Sequence, residues 1–221
     1  MPSVYTHSFN SDVALGGTIP YVGADVVKNE PMLFSCSADA ARKLGGPITR
    51  SFLDRLELVW DLDEPDVVID SRVHMLMTGW WPCIPGWHHD DVPRSRSDGQ
   101  PNYVDPEYRS EHCMALAGAD VCPTEFAIGQ HALPDVASGR VVYRDWHPMV
   151  EDQVRTGRLR LWRAPTWRLI FFDWQSMHQG TQAIGDGWRW FVRASRSTNR
   201  QQFNEVRRQV QVYMDRPNDG W

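Results

Sequence analysis

From residue 67 onward the chain is a series of short apolar runs broken at close intervals by Gly and Pro. Residues 67–69, 73–77, 114–117, 125–128, 141–143, 159–162, 169–172, 188–192 and 210–214 are rich in β-branched, aromatic and Leu/Met side chains and read as strands. Turn residues separate them, among them Pro82, Gly86, Gly99, Pro134, Gly139, Pro165 and Gly180. Many short strands with frequent breaks predict a sandwich or barrel. The front of the chain differs. Ser37 precedes a run of good helix formers that Gly45 and Gly46 close, and Pro47 opens a second helical stretch carrying Phe52, Leu53 and Leu56. Residues 1–30 show no sustained period and read as loops with a short strand. Residues 148–155 read as a short inserted helix. The expected architecture is mainly β with N-terminal helices, a jelly roll in one domain. Residues 1–66 form a helical and loop extension packed on a β core at 67–215.

Composition changes this picture little. A chain of 221 residues can bury a core without disulfides. Its four cysteines form no C-x-x-C pair. The opening segment has no apolar stretch of signal-peptide type, and no apolar run approaches membrane-spanning length. The expectation is a cytoplasmic protein with reduced thiols. Charge adds one clue. The net charge of −5 hides a division: residues 1–139 carry nine basic and twenty acidic side chains, and residues 140–216 carry fourteen arginines and seven acidic ones. An Arg-rich half can face an anionic ligand or pair with the acidic half, and the second reading is the simpler.

Candidate chemistry concentrates at two places. The segment 80–91 ends in Trp87-His88-His89-Asp90-Asp91 just after a predicted strand. On an extended chain residues i and i+2 share a side, so either His88 with Asp90 or His89 with Asp91 can present a nitrogen and an oxygen to one metal. Far downstream, an apolar strand at 168–173 leads to His178. The strand that follows places Arg189, Phe191 and Arg193 on one face. Two arginines on one strand face need anionic partners, from the protein or from a ligand.

Together these pieces resemble the 2-oxoglutarate-dependent Fe(II) oxygenases. The shared order is His-x-Asp, a second His about ninety residues on, then Arg ten to fifteen residues later. The Trp-His-x-Asp form is closest to the phytanoyl-CoA-dioxygenase-like branch, and the resemblance spans residues 67–197. It implies a double-stranded β-helix, a jelly-roll variant. It also implies Fe(II) held by His88, Asp90 and His178 with 2-oxoglutarate as cosubstrate, the combination of two imidazoles and one carboxylate leaving three positions open on the metal. An arginine is implied for the far carboxylate of 2-oxoglutarate, whose geometry its planar fork matches. Arg189 lies at the commoner spacing. Arg193 with Ser195 resembles an Arg-x-Ser motif and is slightly favoured. Trp87 favours the His88/Asp90 register, leaving His89 and Asp91 to point the other way. The run 125–131 resembles a mid-barrel segment, with Gln130 in place of a serine and His131 as a structural or substrate-side residue. Substrate is not specified: a small molecule or a nucleotide-like compound is compatible, nucleic acid is weakly supported, and no membrane partner is expected. The competing readings are a catalytically inactive jelly-roll binding or assembly protein, a metal-dependent hydrolase, and a cupin-type enzyme or epimerase.

Overall fold

The structure, a computed structural model, describes residues 5–105, 109–198 and 200–214. In chain order its elements are β1 (Thr6–Ser11), β2 (Ala14–Thr18), α1 (Ala24–Lys28), β3 (Met32–Phe34), α2 (Ala38–Leu44), α3 (Pro47–Leu56), β4 (Val68–Leu76) and β5 (Glu111–Ala117). There follow β6 (Thr124–Pro134), α4 (Val142–Arg155), β7 (Arg160–Arg163), β8 (Arg168–Asp173), β9 (His178–Gly180), β10 (Gly187–Arg196) and β11 (Glu205–Arg207). The protein is thus mainly β, and every strand pairing is antiparallel.

The larger sheet has the order β2-β8-β5-β10-β4. In the smaller one β6 pairs with β1, β7 and β9. A bridge between His88 and His178 ties the segment before Asp90 to β9. Neighbouring strands are distant in sequence, and two antiparallel sheets built this way are consistent with a jelly-roll-like arrangement.

Alternation along the strands decides what faces what. On β10, Trp190, Val192 and Ala194 pack with Ile69 and Val73 of β4 and with Phe52, Leu53 and Leu56 of α3. The other face of the large sheet contributes Met114, Leu116, Ile170 and Phe172, which meet Phe126 of the small sheet. Arg189, Phe191 and Arg193 share that inner face by the same period. So do Asp70, Arg72 and His74, which the register places opposite Arg193, Phe191 and Arg189 respectively. The outer side of the small sheet is covered by α4, whose Val142, Tyr143, Trp146 and Val150 pack with Phe9, Trp87 and Met177.

The two front helices form where the sequence signals them. Ser37 Oγ accepts from Ala40 N at 3.1 Å. Pro47 opens α3 at the first position, where a missing N–H costs nothing. Buried Glu30 accepts from the N–H groups of Gly46, Ile48 and Thr49 at 3.0, 3.2 and 2.8 Å, placing an anion on the positive end of the helix.

Elsewhere the structure differs from the sequence expectation. The run 141–143 is not a strand but the entry to α4. Its apolar residues continue at Trp146 and Val150 with helical spacing, and that burial outweighs local β-propensity. Pro148 lies inside this helix on an exposed position, where a lost backbone hydrogen bond faces water. The run 210–214 gives one isolated bridge, Tyr213 to Trp81, instead of a strand. The first thirty residues supply two strands, one for each sheet. In β2 the composition conceals this: a Cβ on Gly16 would lie 2.6 Å from Phe171 and 2.9 Å from Leu169, so only glycine lets the backbone approach β8.

Candidate active site

Between the sheets lies a cavity of about 860 Å³. The segment 86–91 enters it from one side and β9 from the other. His88 and His178 exchange backbone hydrogen bonds, His88 N to His178 O at 2.9 Å and His178 N to His88 O at 3.0 Å. That pairing holds the two rings together, their centroids 4.6 Å apart. Asp90, two residues beyond His88, returns to the same side. One ligand atom from each of His88, Asp90 and His178 can be chosen so that all lie within 4.8 Å of one another, a group that could hold a metal ion. His178 Nε2 is 3.1 Å from Asp90 Oδ2, and His88 Nε2 is 4.0 Å from Asp90 Oδ1.

The backbone also fixes which nitrogen is offered. His88 Nδ1 is 2.9 Å from Gly86 O, and His178 Nδ1 is 2.9 Å from Ser176 O. A carbonyl only accepts, so Nδ1 carries a proton in both rings, and Nε2 is the nitrogen turned toward Asp90. Burial, with the neighbouring His178 second, depresses the pKa of His88 to about 4, so the ring is neutral near pH 7. For Asp90 burial acts to raise the pKa, but the Arg193 guanidinium and then His178 hold it well below the usual carboxylate range.

His89 and Asp91 do not form a second such pair. His89 turns to the opposite side as expected, into a buried cluster with Phe9, Tyr103 and Trp146, and its Nδ1 meets Tyr103 Oη at 2.9 Å. Asp91 does not follow it. With φ of 50° the backbone leaves the extended region, alternation ends, and the carboxylate swings to the cavity, 3.3 Å from Arg193 Nη2. The expectation that Asp91 points away is therefore corrected by a local turn.

Arg189 and Arg193 of β10 both line the cavity. Arg193 pairs with Asp90 through Nη1 and with Asp91 through Nη2. Ser195 lies deeper and turns from the cavity toward buried His112, whose Nδ1 is 2.9 Å from its Oγ. Arg189 is 4% exposed and has no carboxylate partner among the described residues. It donates Nε to Cys122 O at 2.9 Å and Nη2 to Thr124 Oγ1 at 2.8 Å. His131 is buried beside Phe9, with its Nδ1 3.2 Å from Gly129 O.

Sequence reasoning passed over Thr124 and the Asp70, Arg72, His74 face of β4. The signal was present as Asp70, Arg72 and His74 at period two within a largely apolar strand. Asp70 is held by Arg200 at 2.5 Å and Arg207 at 3.2 Å. His74 is 1% exposed, and neither of its ring nitrogens has a hydrogen-bond partner among the described residues.

Among the described residues, no helix is long and apolar enough to cross a membrane. No protein-family model matches the chain, and no curated protein matches it. Among solved structures, the chain is similar to EvdO2 from Micromonospora carbonacea var. aurantiaca, crystallised in complex with 2-oxoglutarate. The identity is 13% and the TM-score 0.37, over 68% of this chain and 60% of EvdO2.

Proposed function

We propose that the chain is an Fe(II)- and 2-oxoglutarate-dependent oxygenase built on a double-stranded β-helix, with iron held by His88, Asp90 and His178. The observation that carries this reading is the buried triad of two imidazoles and one carboxylate at the wall of a cavity that also contains an unpaired arginine. The strand order supports the fold: β4, β10, β5 and β8 run side by side in one sheet, and β9, β6 and β7 with the His88 segment form the other. Residues 67–215 are the core of a single domain to which residues 1–66 add three strands and three helices. The Trp87-His88-His89-Asp90 form resembles the phytanoyl-CoA-dioxygenase-like branch, and that resemblance alone suggests the branch.

The residues fit both groups. Both histidines offer Nε2 with Nδ1 already committed, and the donor set of two nitrogens and an anionic oxygen suits Fe(II) with open positions. For 2-oxoglutarate, the guanidinium of Arg189 is buried without a counter-ion among the described residues, and such a cation calls for a bound anion. Arg189 with the Thr124 hydroxyl would hold the far carboxylate. Arg193 is less suited, since Asp90 and Asp91 already neutralise it, and Ser195 is bound to His112.

When bound, iron and 2-oxoglutarate supply the oxidising power to hydroxylate a substrate with dioxygen, releasing succinate and carbon dioxide. The protein contributes position and charge. His88 stays unprotonated at Nε2 because burial disfavours its cation. Asp90 stays ionised because Arg193 stands beside it. Phe191, between the two arginines on β10, keeps part of the cavity wall apolar.

The test is an anaerobic titration of the protein with Fe(II) and then 2-oxoglutarate, followed by calorimetry and visible absorption. A screen for substrate-stimulated succinate release completes it. Tight metal binding followed by stoichiometric 2-oxoglutarate binding is expected. Metal binding with no subsequent 2-oxoglutarate binding would assign the centre to a different reaction.

A further inference from the structure

We propose that the substrate is a small anion, anchored through a carboxylate or phosphate group by Arg72; the proposal rests on the oxygenase reading above. Six arginines line the cavity, at 72, 94, 189, 193, 200 and 207, against three aspartates at 70, 90 and 91. Iron and 2-oxoglutarate carry equal and opposite charge, so loading them leaves the cation excess in place. This excess is local, because the whole chain is acidic at −5.

The ion pairs show which cations are already used. Asp70 is shared by Arg200 and Arg207, and Asp90 and Asp91 are held by Arg193. Arg200 also stands 3.8 Å from Asp91. Three arginines thus neutralise three aspartates. Arg94 is exposed on the loop after the metal ligands and donates to Gly99 O at 3.3 Å. Arg189 is the proposed cosubstrate anchor. Arg72 remains: it is half-buried, it lines the cavity, and it makes no hydrogen bond or ion pair among the described residues.

Its position is what a substrate anchor requires. Arg72 projects from β4 on the cavity face, directly opposite Phe191 of β10, and so between the levels of Arg189 and Arg193. Its guanidinium lines the cavity without a protein partner among the described residues, and an anion binding there gains charge-assisted hydrogen bonds. Buried His74, two residues along the same face, adds a polar ring to the cavity wall. The cavity of about 860 Å³ lies high in the range of 300–1,000 Å³ typical of pockets for drug-sized ligands, leaving room for a substrate beside a five-carbon cosubstrate.

The probes are phenyl phosphate and 3-phenylpropionate, with 3-phenylpropanol as the neutral counterpart. Each is titrated into protein saturated with Mn(II) and 2-oxoglutarate, and binding is read by calorimetry and tryptophan fluorescence. At least one anion should bind, more weakly as salt rises, and the alcohol should not; which anion binds identifies carboxylate or phosphate. Arg72→Gln should weaken anion binding by roughly tenfold or more while 2-oxoglutarate affinity stays within about twofold. Arg72→Lys, which keeps the charge, should retain most of it. The proposal is overturned if neither anion binds, if the alcohol binds equally well, or if Arg72→Gln leaves anion affinity unchanged. It is also overturned if Arg72→Gln weakens 2-oxoglutarate binding as Arg189→Gln does, since Arg72 would then belong to the cosubstrate site. Should 2-oxoglutarate fail to bind while the Mn(II) protein still takes an anion through Arg72, the oxygenase reading falls and the anion site stands.

Discussion

Arg193 and Arg189 project from the same face of one strand, four residues apart, into one cavity, yet their surroundings are opposite. At the Arg193 end the guanidinium stands among carboxylates: Asp90 and Asp91 on one side, and Asp70 across β4. Burial alone would lower its pKa, but Asp90 and then Asp91 push it up. At the Arg189 end the neighbours are a carbonyl, a hydroxyl, the Phe191 ring, a neutral histidine and another arginine. One cation is neutralised by the protein; the other has no carboxylate beside it among the described residues. Residue type and strand position leave the two arginines alike; the carboxylates around them make them differ.

The largest effects are expected at the candidate metal ligands. Asp90→Ala and His178→Ala should each weaken metal binding by more than about 100-fold, since even the outer partners of metal ligands are typically worth 10–100-fold. Thermal melting of each variant should remain cooperative. His89→Ala should instead lower stability while sparing metal affinity, because the ring is 3% exposed and packed among aromatics. If His89→Ala loses the metal and His88→Ala keeps it, the ligand register is wrong.

Next in size is the contrast between the arginines themselves. Arg189→Gln should weaken 2-oxoglutarate binding by roughly 10- to 150-fold, the equivalent of a charge-assisted contact of about 1.5–3 kcal/mol. Arg193→Gln should leave 2-oxoglutarate affinity within about twofold and should tighten metal binding, because a competing cation leaves Asp90. Calorimetry on the two variants checks both directions. Equal losses of 2-oxoglutarate affinity would erase the distinction between the two ends.

That distinction was not legible in the sequence, and the reason is geometric. His88, Asp90 and His178 could be grouped because a short local spacing and one downstream histidine carry the pattern. Choosing between Arg189 and Arg193 required knowing what lies across the sheet. Asp70 becomes the neighbour of Arg193 only through the register of β4 on β10, more than a hundred residues apart in sequence. Asp91 joins the same cluster only because its backbone leaves the extended region. The helices at Ser37 and Pro47 were readable from their caps, which are local. The strand at 14–18 was not, because its glycines serve close approach to β8 and carry no apolar pattern. Nor was the start of α4, where local β-propensity and the helical period of buried residues pointed different ways.

A smaller effect uses His74 as a reporter of the Arg189 end. Burial, then Arg189, then Arg72 depress its pKa to about 3. An unfolded histidine takes up a proton below about 6.5, whereas folded His74 does not until about 3. The unfolded state therefore binds more protons in that window, and stability falls as pH drops from about 6.5 to about 3, by up to about 1.4 kcal/mol per pH unit. Above that window this histidine contributes no pH dependence. Urea midpoints between pH 7.5 and 5 should fall with acid, and less steeply in His74→Phe. By NMR titration, Arg189→Gln should raise the His74 pKa and Arg193→Gln should not.

The smallest effect sharpens the comparison from the metal end. Helix α4 reaches the ligand segment through Tyr143, whose hydroxyl donates to His89 O at 2.8 Å, on the backbone between His88 and Asp90. Tyr143 is buried at 3% exposure, so Tyr143→Phe keeps the ring packed but removes the hydrogen bond to the His89 carbonyl and the acceptor of the Tyr103 hydroxyl, 3.1 Å away; the first of these losses sets the lower bound of the effect. A neutral hydrogen bond of this kind is worth about 0.5–1.5 kcal/mol. At 2–4 °C per kcal/mol for a domain of this size, the melting temperature should fall by about 1–6 °C. Because the carbonyl lies between two ligand residues, the loosening should reach the metal and lower its affinity by a few-fold. It should not reach β10, so 2-oxoglutarate affinity of the metal-saturated protein and the His74 pKa should stay unchanged. A Tyr143→Phe variant that loses 2-oxoglutarate affinity in proportion to its metal affinity would show that the two ends of the cavity respond as one rigid unit, and the separation drawn between Arg193 and Arg189 would fail.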